Sequence, residues 1–226
     1  MTVIAQHPIV VAVLSLALFV ILILSFVILG SHWVRNHVYA FALQSWVIGG
    51  ISIVVAIWGH YPLLYGIAAL TIVVRGLVIP FFVVRILDRN GVGRESAPIL
   101  RSSSAVVVGG ALVILGFVIA EEISHQLVHL PSLAVLALTV LFAVEFIAFL
   151  MLSLRTEALA SLLALLMIEN GILAGSQILV PGMPFLLEIV LLFDLLVIIA
   201  TYAVLAPSLR TRIGGTDVRE MRELAG

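Results

Sequence analysis

The sequence predicts an all-α membrane protein with seven transmembrane helices, and three observations support this fold class. Hydrophobic residues make up 63% of the 226 residues, and the mean hydropathy is +1.32. Only 10% of the residues are charged, whereas soluble domains average about 25%. The apolar residues also form windows of roughly 20 residues, the length of a helix that spans the hydrocarbon core. Soluble globular classes are therefore excluded.

Seven apolar windows follow one another along the chain, separated by short polar or proline-containing breaks. The first thirty residues lack a basic segment and a small-residue cleavage site. We therefore expect the first window to remain as a helix rather than to act as a signal peptide. The windows are about 8–30, 37–58, 62–85, 103–120, 131–154, 157–180 and 184–206.

The arginines indicate the orientation of these helices. Ten of the eleven fall on one side when seven spans are drawn, and cytoplasmic loops are enriched in basic residues. We therefore expect a multi-pass protein of the cell inner membrane, with the N-terminus outside and the C-terminus in the cytoplasm. The ten residues are Arg35, Arg85, Arg89, Arg94, Arg101, Arg155, Arg210, Arg212, Arg219 and Arg222.

A spacing near 120 residues relates the first three windows to the last three. Arg35 and Arg155 are 120 residues apart, and the intramembrane charges Arg75 and Asp194 are 119 apart. We infer a parallel 3+1+3 repeat, in which the fourth span connects two copies of the same orientation. Alternatively, one bilayer thickness makes all helical hairpins similar in length. The predicted units are 1–102 (three helices and a cytoplasmic loop), 103–130 (linking helix and outer loop), 131–207 (three helices) and 208–226 (cytoplasmic tail).

Ionisable residues occur inside the predicted spans, where charges are costly and usually mark ion or proton paths. At ~1.5 Å per residue, Arg75 lies roughly 14 Å below the cytoplasmic surface, Glu145 roughly 12 Å and Glu169 roughly 20 Å. Asp194 comes at roughly 18 Å and Glu188 at roughly 27 Å, near the outer interface. Two neutral polar residues, expected to tune these charges or to hydrogen-bond between helices, are Gln44 and Asn170.

These residues allow two interpretations, a proton relay or a set of structural contacts. Arg75 requires a carboxylate, and the depths make Glu145 and Asp194 the candidates; such a pair can be purely structural. Glu169 is then expected to remain without a cationic partner. An unpaired buried carboxylate can hold and release a proton near neutral pH. Glu188 is either a relay residue or an interfacial residue that reaches the headgroups.

The composition offers few ligands for a metal or a redox centre. The chain has no cysteine, which excludes disulfides, thiolate metal sites and iron–sulfur ligation. His125 and His129 are four residues apart, a spacing compatible with a metal, but a water-exposed amphipathic segment explains them as well. We expect no cofactor, metal or catalytic residue in this chain.

Four short motifs contain most of these polar residues: LQSWV (Leu43–Val47), VVRGLVIP (Val73–Pro80), MIENG (Met167–Gly171) and LEIVLLFD (Leu187–Asp194). Together they resemble component E of hydrogenase-4, a membrane subunit of formate hydrogenlyase-type complexes, in which a lysine commonly replaces Arg75. That family is similar to the K-type subunit of complex I and to the C subunit of multisubunit cation/proton antiporters. Their mid-membrane glutamate lies about one turn before Glu169, where Leu165 and Leu166 stand here.

The resemblance implies an integral membrane subunit of a complex I-like, group 4 nickel–iron hydrogenase that contributes buried charges to a proton path. The implied partners are antiporter-like and quinone-module-like membrane subunits and lipids, without nucleic acid, and the redox chemistry belongs to other subunits. The alternatives are a cation/proton antiporter subunit without a redox partner, and a membrane scaffold. The relay candidates are Glu169, Asp194, Glu145 and Glu188, with Arg75, Gln44 and Asn170 tuning the charge.

Overall fold

The structure, a computed structural model, describes residues 7–31, 33–90, 102–126, 130–155 and 158–181. These residues form six helices that are long and apolar enough to cross a membrane, which confirms the all-α class and six spans. The predicted seventh span, 184–206, lies outside the described residues. The helices are α1 (Pro8–Gly30), α2 (Val34–Gly59), α3, α4 (Ser102–Gln126), α5 (Ser132–Leu154) and α6 (Ala158–Leu179). Helix α3 runs without a break through α-helical Leu63–Leu70, π-helical Thr71–Val78 and α-helical Ile79–Asn90.

Several helices extend past their predicted ends. Helix α4 continues to Gln126, which donates a hydrogen bond of 2.9 Å to Glu122 one turn earlier. Helix α3 continues to Asn90, and Arg35 in the first turn of α2 forms an ion pair with Asp88 near the end of α3. Charged residues end an apolar window at the membrane surface, but a helix can continue into water where such pairs support it. The predicted ends of α3 and α4 therefore come several residues too early in the chain.

Two loops define the ends of the bundle, which we call the His60 end and the Arg35 end. At the His60 end, α2 stops at His60, whose backbone is left-handed (φ 57°), and α3 begins. At the Arg35 end, α1 stops and α2 begins. Arg155, a predicted loop arginine, is buried there, and its Nη2 donates to the carbonyl oxygens of Leu29 (2.8 Å) and Ser31 (2.9 Å). A cation in this position satisfies carbonyls that end α1 and suits the negative end of the helix dipole.

Helices α2 and α6 have the most buried spans in the described part of the chain. Helix α5 contacts α1, α4 and α6, while α2 contacts α1, α3 and α6. The span of α6 is 72% buried, against 28% for α1 and 22% for α4. Most of the residues of α1 and α4 are therefore left uncovered by the chain, and polar residues on α6 are placed in the interior.

The close approach of α5 and α6 depends on two glycines of α6, Gly171 and Gly175, which are one turn apart. A Cβ added at Gly171 would lie 2.9 Å from Val144 Cγ1, and one at Gly175 would lie 2.6 Å from Leu141 Cδ1. Both distances are shorter than ordinary contacts, so a larger residue would push the helices apart. The Gly171-x-x-x-Gly175 spacing therefore serves the packing of α6 on α5.

The helices that the predicted repeat makes equivalent are in contact, since α1 packs on α5 and α2 packs on α6. Such contacts are expected when two parallel copies surround an axis along the membrane normal. The third equivalent pair includes the seventh span, outside the described residues. The repeat and the unit boundaries drawn from it therefore stay predictions.

The orientation of the bundle is a prediction that fusion proteins can test. We expect a fluorescent protein fused at Gly226 to fluoresce and alkaline phosphatase fused there to be inactive, because the arginines of the tail retain it in the cytoplasm. Fusions truncated after Tyr61, at the His60 end, should give the reverse result. An active phosphatase at Gly226 would contradict the count of seven spans.

Candidate functional site

Arg75 is the centre of a buried polar network. It lies in the π-helical part of α3, and its side chain is 0% exposed. Its Nη2 donates to Glu169 Oε2 at 2.8 Å, and its Nη1 donates to Asn170 Oδ1 at 3.3 Å. Both acceptors belong to α6, so one guanidinium joins α3 to adjacent residues of α6. The ion pair compensates a charge that would be strongly destabilising if it were buried alone.

The ion pair predicted for Arg75 is present, but its partner in the described part of the chain is an acid that the depths did not indicate. We predicted Glu145 or Asp194, whereas the described partner is Glu169, which is 17% exposed. The expectation that Glu169 has no cationic partner is therefore wrong. The depth of a residue in the membrane does not determine which helix its side chain faces. Glu145 lies at a depth similar to that of Arg75, but on α5, which packs mainly against α1, α4 and α6. Asp194 and Glu188 lie outside the described residues, and their roles stay predictions.

Amide side chains extend the network from α6 to α1. Asn170 Nδ2 donates to Gln44 Oε1 at 3.5 Å and to Ser45 Oγ at 3.4 Å. Gln44 Nε2 in turn donates to the Ile21 carbonyl oxygen at 3.0 Å and to Ser25 Oγ at 2.9 Å. The structure thus brings four of the predicted residues into one network across α1, α2, α3 and α6. Ser25 was not predicted, because a single serine in an apolar helix gives no signal of a long-range partner.

The backbone around Arg75 is held in its π-helical form by a contact with α2. Trp46 Nε1 donates to the Gly76 carbonyl oxygen at 3.2 Å. A Cβ at Gly76 would lie 2.4 Å from both Cδ1 and Nε1 of the indole ring. Turns of π-helix are rare and occur frequently at functional sites. The Trp46 contact therefore fixes the backbone one residue from the guanidinium-bearing position.

Gly76→Ala is expected to disturb this part of the site. The added methyl group overlaps the indole ring, so that either Trp46 moves and its hydrogen bond is lost or the π-helical segment rewinds. We expect a loss of about 1–3 kcal/mol in the free energy of unfolding, measured by thermal unfolding in detergent. Gly50→Ala is the matched control, because no atom lies within 4 Å of the added group. Equal, small effects of both changes would contradict the close contact.

A second buried polar layer lies nearer the His60 end. Ser52 Oγ donates to Gln177 Oε1 at 2.8 Å and joins α2 to α6. Ser52 is seven residues after Ser45, and Gln177 is seven after Asn170, so about 10 Å separates the two layers. Neither residue of this layer was predicted, because neutral side chains in apolar helices do not require a charged partner.

Three buried polar atoms in and between these layers have no hydrogen-bond partner in the described part of the chain. They are Thr71 Oγ1, Arg75 Nε and Gln177 Nε2. Thr71 lies four residues before Arg75 on α3, on the side of the His60 end. A buried polar group without any partner costs roughly 1–3 kcal/mol. These three atoms would therefore lower the stability of the bundle if nothing else contacted them.

The interior between the network and the Arg35 end is mainly apolar, and buried polar side chains, His37 and Arg155, occur again at that end. Buried side chains of α2, α3 and α6 meet there and form one hydrophobic cluster, which we call the apolar cluster. Its members are Val34, Val38, Phe41, Ile79, Val83, Leu87, Leu159, Leu162, Leu163 and Leu166. Hydrophobic side chains thus enclose the network on both sides, and on the side of the His60 end they also surround the second polar layer.

In the described part of the chain, no three side chains suitable as metal ligands come together, either near His125 or elsewhere. His125 Nε2 lies 3.7 Å from Glu121 Oε2, one turn earlier on α4, and both side chains are largely exposed. His129 lies outside the described residues. The pair fits the interpretation of this segment as a water-exposed helix end.

The fold and the network define a polytopic α-helical membrane protein with an ion pair buried in its interior. The chain is similar to a protein of Mycobacterium tuberculosis named "Uncharacterized protein Rv0085", with 26% identity over 191 residues. The alignment covers 84% of this chain and 86% of the relative. No protein-family model and no solved structure matches the chain. The relative's name states no activity, so a functional interpretation depends on the site itself.

Proposed function

We propose that the chain is an integral membrane subunit of a complex I-like hydrogenase, of the hydrogenase-4 or formate hydrogenlyase type, and contributes to its proton-translocation path. The observation that supports this is the Arg75–Glu169 ion pair within the spans, continued by hydrogen-bonded amides across four helices. Ionisable residues at such positions are costly and most often serve ion or proton transfer. The subunit lies in the cytoplasmic membrane beside antiporter-like and quinone-module-like subunits, and these partners supply the redox centres.

Within this path, Glu169 is the residue that holds and releases the proton. Protonation of Glu169 converts its ion pair with Arg75 into a contact between a cation and a neutral acid. Asn170 Oδ1 continues to accept a hydrogen bond from the guanidinium in that state, which lowers the cost of the change. Glu145, Asp194 and Glu188 are the further acids through which the path continues.

The pairing of Glu169 also favours a second function, that of a scaffold. A hydrogen-bonded ionic network can hold α1, α2, α3 and α6 in one arrangement without transferring protons. The two functions differ in one measurable property, because only the relay requires Glu169 to bind a proton.

Purification of the tagged chain from its native membrane in a mild detergent tests the proposed assembly. We expect the large and small subunits of a nickel–iron hydrogenase to copurify together with antiporter-like membrane subunits. A different polytopic protein of the same membrane, carrying the same tag, is the control for non-specific association. Recovery of antiporter subunits without hydrogenase subunits would replace the proposal by a cation/proton antiporter, and recovery of the chain alone would contradict both assemblies.

A further inference from the structure

An open groove lies on the surface of the bundle between α2 and α3, near the Arg35 end. Its volume is about 550 Å³, within the roughly 300–1,000 Å³ of sites that hold small molecules. None of its lining residues belongs to the polar network around Arg75. One comes from α2 and the others from the last part of α3: Tyr39, Pro80, Phe81, Val84, Arg85 and Asp88.

The two ends of the groove differ in polarity. Arg85 is the last residue of the apolar span of α3, and Asp88 follows it by three residues. Phe81 lies one turn before Arg85, within the span, and its side chain is 62% exposed. From Pro80 to Asp88 the helix rises by about 12 Å. Because an apolar span ends where the hydrocarbon core ends, the groove runs from the level of the lipid headgroups into that of the acyl chains.

The polar end of the groove carries an uncompensated positive charge. Asp88 is paired with Arg35, so these two charges offset each other. Arg85 is exposed and forms no ion pair within the described part of the chain. A guanidinium can bind a phosphate group through two parallel hydrogen bonds. Tyr39 faces it from α2 across the groove, and tyrosine is enriched at the level of the headgroups.

We propose that this groove binds an anionic phospholipid, with its phosphate on Arg85 and its first acyl carbons against Phe81 and Pro80. A soluble phosphate compound matches only the polar end, because the other end lies within the apolar span. The arginine distribution places the Arg35 end at the cytoplasmic surface, where basic pockets between transmembrane helices bind anionic headgroups. A lipid in this position contacts both α2 and α3 and stabilises their association.

Lipid titration of the purified full chain, followed by native mass spectrometry, tests this site. The probes are phosphatidylglycerol, which is anionic, and phosphatidylcholine with the same acyl chains, which is zwitterionic. We expect phosphatidylglycerol to bind about fivefold more tightly or more, the contribution of one basic residue near an anionic headgroup. Arg85→Gln should abolish this preference. Arg85→Lys should retain part of it, because lysine keeps the charge without the planar fork.

Two further variants distinguish the groove from a general attraction of the chain for anionic lipid. Val84→Trp fills the groove without a change of charge, and we expect it to weaken the binding of phosphatidylglycerol as much as Arg85→Gln does. Val107→Trp is the matched control, since it adds the same side chain on α4, where the valine is 74% exposed. That helix packs on α1 and α5, so this variant should bind both lipids as the natural chain does.

Equal affinities of the natural chain for the two lipids would overturn the proposal, and so would a preference that Arg85→Gln leaves unchanged. Equal losses in Val84→Trp and Val107→Trp would exclude the groove as the place of binding. Displacement of the lipid by millimolar inorganic phosphate would replace it by a soluble phosphate compound. If Arg85→Gln does not accumulate in the membrane, Val84→Trp is judged against Val107→Trp. The measurement requires neither turnover nor partner subunits, so its result is independent of the copurification.

Discussion

Arg75→Leu is expected to destabilise the protein more than any other single substitution in the described part of the chain. The change leaves the Glu169 carboxylate in an apolar interior without the guanidinium that lies 2.8 Å away. Removal of one partner from a buried pair typically costs about 3–5 kcal/mol, a large part of a total stability of about 5–15 kcal/mol. Thermal unfolding of the detergent-solubilised complex, together with the amount of subunit in the membrane, measures the effect.

The double variant Arg75→Leu/Glu169→Leu separates a lost pair from a lost side chain. Because no uncompensated charge remains, most of the stability should return, as happens when both members of a buried pair are replaced by hydrophobic residues. Arg85→Leu is the matched control, since this arginine lies on the same helix but is exposed. If Arg75→Leu were as stable as Arg85→Leu, the buried pair described here would not exist in the membrane.

The need for this pair could be predicted from the sequence, but its members could not. An arginine inside an apolar window requires an acid because an isolated charge is costly there, and that argument needs no structure. The choice of acid was made from depth, which follows from residue number, whereas contact also depends on the direction in which each side chain points. The π-helical segment Thr71–Val78 winds more residues into each turn than an α-helix does. It therefore changes the direction of Arg75 relative to any α-helical projection.

The spans themselves were predictable for a simpler reason. Hydropathy over about 20 residues is a property of local composition, and it holds whatever the neighbours of a helix are. The ends were less accurate because α3 and α4 continue past the last apolar residue, supported by pairs such as Arg35–Asp88. The Ser52–Gln177 contact could not be predicted, because it does not depend on local composition. It joins positions 125 residues apart, and nothing local distinguishes either residue from an ordinary polar substitution.

The pairing of Glu169 makes the proton relay more specific than the sequence alone suggested. In the proposed relay, Glu169 gives up a charged contact with Arg75 when it takes up a proton. The same contact holds the acid in place through a charged hydrogen bond of 2.8 Å, which must weaken when the carboxylate becomes a neutral acid. Proton uptake at this site therefore requires a change in the surroundings of Arg75, and the adjacent amide of Asn170 is the group in place to respond.

Glu169→Gln is expected to abolish proton translocation while leaving the complex assembled. Glutamine keeps the length of the side chain, and its carbonyl oxygen can still accept the hydrogen bond that Arg75 donates to Glu169. It cannot take up a proton, so a relay through this position stops. We expect a decrease of roughly a hundredfold, the scale of contribution that a positioned acid–base group makes. Proton uptake by vesicles that contain the intact complex measures the rate, and the amount of assembled complex is determined in parallel.

Glu122→Gln is the matched control for this experiment, because Glu122 is an exposed acid whose hydrogen bond from Gln126 the amide can replace. Its translocation rate should equal that of the natural complex. A normal rate in an assembled Glu169→Gln complex would exclude the relay role of this residue and make Asp194 the next acid to test. In that case the contact between Arg75 and residue 169 acts as a structural bond, and Gln serves as well as Glu because the hydrogen bond rather than the proton is what the bundle requires. A low rate with full assembly excludes the scaffold, since a structural bond alone would survive this substitution.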